Sequence, residues 1–349
     1  MGFIDARNRR TGNPGTAAAF VRPGTAGVLL VNLGTPDGTD IRSVRRYLGE
    51  FLSDRRVIEA SPAIWQPILR TVVLNTRPRK SAANYKRIWN ATGDESPLRT
   101  YTRGQAEGLQ TRLQADGIPV EWAMRYGSPT TARGIERLIE RGCDRILLLP
   151  LYPQYSATTT ATANDQAFRA LMRLRRQPAL RTVPSFPDDP AYIEALATSI
   201  RDGLAGLDWK PEVLIASFHG LPVEYVQRGD PYMTECAQTM RALRATLGMT
   251  SRELPMTFQS RFGPTRWLAP YTEPRVKRMA ARGVRRIAIF TPGFLADCIE
   301  TLDEIGNEVR EAFIHAGGEK FATIPCLNDS PAAITLLERL VRRELEGWR

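Results

Sequence analysis

Short runs of aliphatic and β-branched residues recur along the chain at 28–33, 120–124, 146–151, 213–218, 256–259, 287–291 and 321–325. Runs of this length, bounded by Gly and Pro, are the pattern of buried parallel strands. Between them lie longer stretches with apolar residues three and four apart, which predict helices over 40–52, 100–115, 131–141, 190–206, 232–247, 270–282, 297–315 and 331–346. Strands alternating with helices specify an α/β fold whose parallel sheets are covered on both faces.

The two halves repeat one another. The first strand runs into Leu33-Gly34-Thr35-Pro36 in one half and His219-Gly220-Leu221-Pro222 in the other. The next ends in Arg125-Tyr126-Gly127-Ser128-Pro129 or Arg261-Phe262-Gly263-Pro264, and Arg141-Gly142 matches Arg282-Gly283 before the third. Three matches in one order predict two similar lobes with a cleft between their strand ends. A prolyl stretch at 184–190 punctuates the middle. The expected division is a loose tail over 1–25, a first lobe over 26–165 completed by a C-terminal helix at 330–349, and a second lobe over 166–329.

Composition narrows the class. With 349 residues, 42% hydrophobic and 24% charged, the chain reads as an ordinary globular protein of ample core. Its net charge of +11 is clustered at Arg42, Arg45 and Arg46, at Arg77, Arg79 and Lys80, and in four arginines over 169–176. No aromatic-interleaved basic motif accompanies them, so nucleic acid is not the expected partner. A solvated basic surface, an anionic membrane surface or a carboxylated substrate each fits. The four cysteines are scattered without a CxxC pair, which argues against a structural zinc site or disulfide scaffold and suits a reducing cytosol. No apolar run approaches the length of a membrane helix, and the first 25 residues lack the apolar core of a signal peptide.

Candidate chemistry gathers at the strand ends, where open α/β sheets bind ligands. His219 follows the run 213–218, and a neutral imidazole there serves as proton acceptor or metal ligand, or as a structural histidine bonded to a turn carbonyl. Asp297, Glu300, Glu304, Glu308 and Glu311 fall at steps of three and four, which places them on one face of an α-helix. They form either a solvated acidic face or a route for a hydrated divalent cation toward His219. Across the cleft, Tyr152 and Tyr155 with the hydroxyls of Ser156 and 158–160 open a helix able to hold an anion. Arg125 with Tyr126 offers a fork donor and a phenol for a carboxylate, and Trp267 offers ordinary packing or a wall for a flat ligand. GxGxxG, GxxxxGK[ST] and GxSxG are all absent, which removes dinucleotide, P-loop and serine-hydrolase readings.

Taken together, Asn32-Leu33-Gly34-Thr35-Pro36, Tyr152-Pro153-Gln154-Tyr155-Ser156, Ser217-Phe218-His219-Gly220-Leu221-Pro222, Gln259-Ser260-Arg261-Phe262-Gly263-Pro264 with Trp267-Leu268, and Asp297-Cys298-Ile299-Glu300-Thr301-Leu302 resemble the ferrochelatase family over roughly residues 26–345. The resemblance implies two Rossmann-like lobes, each a parallel sheet of about four strands flanked by helices, around a porphyrin cleft. It implies insertion of Fe2+ into protoporphyrin IX to form protohaem, the last step of haem synthesis. By resemblance His219 and Glu300 are the catalytic pair. Leu33, Tyr126, Tyr152, Phe294 and Trp267 line the cleft, Arg77, Arg125 and Ser96 are propionate-side or lip contacts, and Asp303 and Glu304 join His219 and Glu300 in handling the metal.

Departures from the family pattern also carry expectations. Members with a [2Fe-2S] cluster use a cysteine just after the YPQYS motif, where this chain has Ala157, so no cluster and no permanently bound cofactor is expected. Cys298 stands where some relatives carry histidine. The transit peptide of mitochondrial members is missing, which implies a bacterial enzyme, cytoplasmic and in peripheral contact with the inner face of the membrane, as monomer or homodimer. The alternatives are a chelatase for another tetrapyrrole, such as coproporphyrin or a cobalt-accepting ring, and a non-catalytic porphyrin carrier.

Overall fold

The computed structural model describes residues 24–348. Two parallel four-stranded sheets form the frame. The first comprises β1 (Thr25–Gly34), β2 (Val120–Tyr126), β3 (Cys143–Pro150) and β4 (Ala179–Thr182), in the order β2-β1-β3-β4. The second comprises β5 (Val213–His219), β6 (Met256–Gln259), β7 (Arg286–Phe290) and β8 (Lys320–Thr323), in the identical order β6-β5-β7-β8. The repeat read in the sequence is therefore a repeat of topology.

In the first half the helices are α1 (Ile41–Leu52), α2 (Pro62–Ile68), α3 (Leu74–Ile88), α4 (Pro97–Leu113), α5 (Thr131–Glu140) and α6 (Thr162–Leu171). Those that follow are α7 (Pro190–Ala205), α8 (Val223–Gln227), α9 (Tyr232–Leu247), α10 (Thr272–Ala281), α11 (Arg310–His315) and α12 (Pro331–Leu345). Three π-helical stretches, Leu69–Val73, Ala157–Ala161 and Glu300–Val309, lead into α3, α6 and α11. The expected helix over 297–315 is thus half π-helix, with wider turns than the α period assumes. The expected tail lies outside the described residues except at its end, where Thr25 already opens β1.

Register makes the equivalence of the lobes residue-specific. Met124 N–H donates to Pro129 O at 2.7 Å after β2, and Phe258 N–H donates to Pro270 O at 2.9 Å after β6. Asn32 pairs with Met124 and Phe218 with Phe258, so Asn32 corresponds to Phe218, Leu33 to His219 and Gly34 to Gly220. Both glycines are required by close approach. A Cβ on Gly34 would lie 1.9 Å from Tyr126 O, and one on Gly220 would lie 2.7 Å from Gln259 O.

One face of each sheet enters a single continuous core. Val28, Leu30 and Leu147 of the first sheet and Leu214, Phe218 and Ala288 of the second are joined through Leu109 of α4, Ile200 of α7, Met240 of α9 and Leu337 of α12. The outer faces close separately, against α5 and α6 on one side and against α10, Val309 and Phe313 on the other. Helix α12 returns to pack on α4, α7 and β3 of the first lobe. Ala179–Thr182, which the expected boundary at 165/166 assigns to the second lobe, pairs with β3 in the first sheet.

Candidate active site

Strand β5 ends on His219, which its partly buried position leaves open on one side. The ring Nδ1 lies 2.7 Å from Gly220 O. A carbonyl only accepts, so this bond assigns the proton of the neutral imidazole to Nδ1 and leaves the Nε2 lone pair free. The ring centroid sits 6.4 Å from that of Phe294. Trp267 bridges to Pro222 and packs over the Gly220 turn, next in the chain to the imidazole.

Buried hydroxyls behind His219 set the neighbouring strand end. Ser217 Oγ donates to Gln259 Oε1 at 2.7 Å and contacts Thr272 Oγ1 at 2.8 Å, and Thr272 reaches Thr257 at 2.9 Å. Gln259 is thereby fixed with its amide pointing forward, Nε2 donating to Glu300 O at 2.8 Å and to Glu304 Oε2 at 3.3 Å. The next residue, Ser260, adopts φ +65°, which turns both its N–H and its hydroxyl onto the Glu304 carboxylate. Burial pushes the Glu304 carboxyl above its usual range and the charge of Glu300 adds to it, while the hydroxyl and N–H bonds from Ser260, and positive charge on His219 when that ring is protonated, oppose the shift.

Glu300 opens the π-helix, partly buried, within electrostatic reach of Tyr47 and Tyr85. Cys298 beside it is fully buried, and burial followed by the Glu300 charge pushes its thiol up, so it is held as a neutral thiol and not as a soft thiolate ligand. The acidic row differs from the α-helical expectation. Asp297 precedes the helix and is 5% exposed, accepting from Thr301 Oγ1 and Asn328 Nδ2, each at 2.7 Å. Asp303 is committed to Arg87 of α3 through two bonds of 2.7 Å.

A cavity of about 350 Å³ opens between α3 and the π-helix, with Glu300, Asp303, Glu304 and Glu308 on one wall and Arg77 and Lys80 on the other. Among the described residues no three of His, Cys, Asp and Glu converge as a preformed cage, so His219, Glu300, Asp303 and Glu304 are not a single coordination sphere.

The remaining predicted contacts divide. Leu33 and Tyr152 pack in one cluster of the first lobe, and the buried Tyr152 hydroxyl has no hydrogen-bond partner among the described residues. Phe294 joins Met124, Leu98 and Cys298. Ser96 is 1% exposed and spent on capping α4, accepting from Arg99 N at 3.3 Å. Arg125 forms a buried ion pair with Asp54, whose carboxylate also accepts from Tyr126 Oη at 2.9 Å and from Thr162 Oγ1. Burial raises the Asp54 pKa, but hydrogen bonds from Thr162, Arg56 N and Tyr126 and the Arg125 charge outweigh it, and the net shift is downward. This knot borders a second, larger cavity of about 840 Å³ that shares no lining residue with the first.

Sequence reasoning quoted Gln259 and Ser260 within a motif at a strand end without giving either a role, and it missed Tyr47, Tyr85 and Arg87. The Arg87–Asp303 pair spans 216 positions and leaves no local signal.

Comparison with known proteins identifies the family. A family model described as ferrochelatase matches residues 25–345. The chain is 62% identical over 326 residues to the ferrochelatase of Gluconobacter oxydans, covering 93% of this chain and 95% of that one. It is 61% identical over 326 residues to that of Mesorhizobium japonicum, covering 93% and 92%. Among solved structures it is similar to SirB from Bacillus subtilis with Fe3+, at a TM-score of 0.54 and 14% identity over 93% of this chain and 98% of that one. At that identity the likeness is one of fold alone. From its first strand to its last helix, the chain belongs to the ferrochelatase family.

Proposed function

We infer that this enzyme inserts Fe2+ into protoporphyrin IX to form protohaem, with His219 Nε2 as the acceptor of a pyrrole proton. The family supplies the activity; the bond from His219 Nδ1 to Gly220 O supports the role, because it leaves the lone pair on the other nitrogen free. The reaction exchanges two ring N–H protons for one Fe2+, so charge balances when both protons leave. A planar ring shields its nitrogen lone pairs, and grip on its edges offsets the cost of bending it. Phe294, Trp267, Leu33 and Tyr152 form the apolar grip in this reading, and Arg77 takes a propionate.

Glu304 and Glu300 are the iron side of the proposal. Hard carboxylates suit a hydrated divalent ion that must be released again, and Glu304 is held by three donors while sitting beside both His219 and Glu300. Asp303 contributes charge and shape through Arg87 in this scheme, and Arg125 and Ser96 act as scaffold. No iron–sulfur cluster enters the reading.

We place the enzyme in the cytoplasm against an anionic membrane surface. Among the described residues no helix is long and apolar enough to cross a membrane. Ile64, Ile68 and Val72 recur every four residues along α2 and the π turn after it, at 66%, 42% and 53% exposure, with Arg70 between them. Such a stripe beside basic residues suits peripheral contact.

Anaerobic porphyrin-loss fluorescence with Fe2+ tests the catalytic assignment. His219→Ala should lower turnover by about 10²–10⁴-fold while porphyrin still binds. Near-normal turnover in that variant sinks the assignment.

A further inference from the structure

Arg77 faces the cavity that holds Glu300 and Glu304, and among the described residues no carboxylate pairs with it. Among the described residues it lies against an aromatic face: the guanidinium carbon is 3.9 Å from the centroid of Phe262. Packing around the guanidinium lowers its pKa, and loss of water is the sole cause, so no anion offsets that loss. A guanidinium stacked on a ring keeps its N–H donors in the plane parallel to the ring, where they remain available to a carboxylate fork.

The loop that carries Phe262 is already anchored in the site. Two residues earlier, Ser260 is turned by its positive φ onto Glu304. The ring therefore spans from the second lobe to α3 at a position set by the same turn that fixes an iron-side carboxylate. Arg77 would otherwise be a long, freely rotating side chain at an exposed helix position.

We propose that Phe262 is a positioning residue for substrate recognition: its ring holds the Arg77 guanidinium flat, with its donor edge directed to receive a porphyrin carboxylate. This rests on the reading of Arg77 as a propionate contact. Preorganisation of this kind acts on binding and not on the chemical step.

The test separates the two layers. Arg77→Met should raise KM for protoporphyrin and leave KM for Fe2+ unchanged; an unchanged porphyrin KM removes Arg77 as a carboxylate contact. With that established, Phe262→Leu should raise KM for protoporphyrin roughly 2- to 5-fold, the span of an exposed cation–π contact, at unchanged kcat. Phe262→Tyr should restore the parental value. In the Arg77→Met background Phe262→Leu should add nothing, and titration with protoporphyrin dimethyl ester, which lacks carboxylates, should give equal affinity for parent and Phe262→Leu. Melting temperatures of all variants report folding. A Phe262→Leu enzyme with parental KM, or one equally impaired toward the diester, overturns the proposal.

Discussion

Arg125 was expected at the substrate, yet its charge is spent inside the protein, and replacing it distinguishes the two roles. In Arg125→Met the stem volume is kept, while the Asp54 carboxylate, 6% exposed like its partner, is left without its cation. Removing one member of a buried ion pair costs about 3–5 kcal/mol. Three donors remain on Asp54, from Tyr126, Thr162 and the Arg56 N–H, which favours the lower end. With an unfolding entropy of about 0.7 kcal/mol/K for a chain of 349 residues, the loss is about 4–7 °C in Tm. Calorimetry at pH 7.5 measures it. The sign of its pH dependence follows from Asp54. In the parent its pKa lies below the ordinary value of 3.8, so it stabilises the fold above that pH and the contribution disappears as pH falls through its folded value. Without Arg125 burial weighs more heavily, the carboxyl protonates more readily, and the deficit should shrink as the pH is lowered from 7.5 toward 4. A Tm within 1 °C of the parent together with a raised porphyrin KM would refute the structural role and return Arg125 to the substrate.

Glu304→Gln should weaken Fe2+ use by about 10-fold in KM, read by initial rates against iron concentration; because burial raises the Glu304 pKa above 4.5, its cost to stability grows as pH rises through that interval, so the variant should gain on the parent in melting temperature at pH 8 and lose that advantage near pH 4. Arg87→Met strands the Asp303 carboxylate, 2% exposed, with Asn307 as its remaining side-chain donor, and should cost about 1–3 kcal/mol in urea unfolding; an unchanged midpoint would show that water enters freely. Ile64→Glu with Ile68→Glu should abolish flotation with anionic vesicles and leave kcat in detergent unchanged, and parental flotation would move the membrane contact elsewhere.

The parts of the fold legible in the sequence are those where burial on both sides of a sheet forces an unbroken apolar run. Six of the seven strands read in the sequence are largely buried; the seventh, β8, is no more buried than β4 and shows only because the run 321–325 continues past it to the buried Ile324. β4, Ala-Leu-Arg-Thr at a sheet edge, is only partly buried and shows no run. The continuous helical stretch from Pro62 to Ile88 carries Pro67 and Pro78 and a π turn, so its period never settles at 3.6. His219 stood out in the sequence because it closes a strand, Glu300 because of the spacing of the acids around it, and Phe294 only through the resemblance to the family. Asp297 was misplaced for the opposite reason: an α period was carried across a segment that turns inward and then continues as a π-helix. Arg87 and Asp54 were invisible because an ion pair between distant elements has no local period.

Leu33 and His219 occupy equivalent ends of equivalent strands. The duplicated frame is thus close to self-matching in its backbone and unlike itself at the position where the chemistry is done. In the reading proposed above, a ring held between these strand ends meets an aliphatic side chain from one lobe and an imidazole from the other. A frame repeated in its backbone is thereby made asymmetric at this pair of positions by side chains alone.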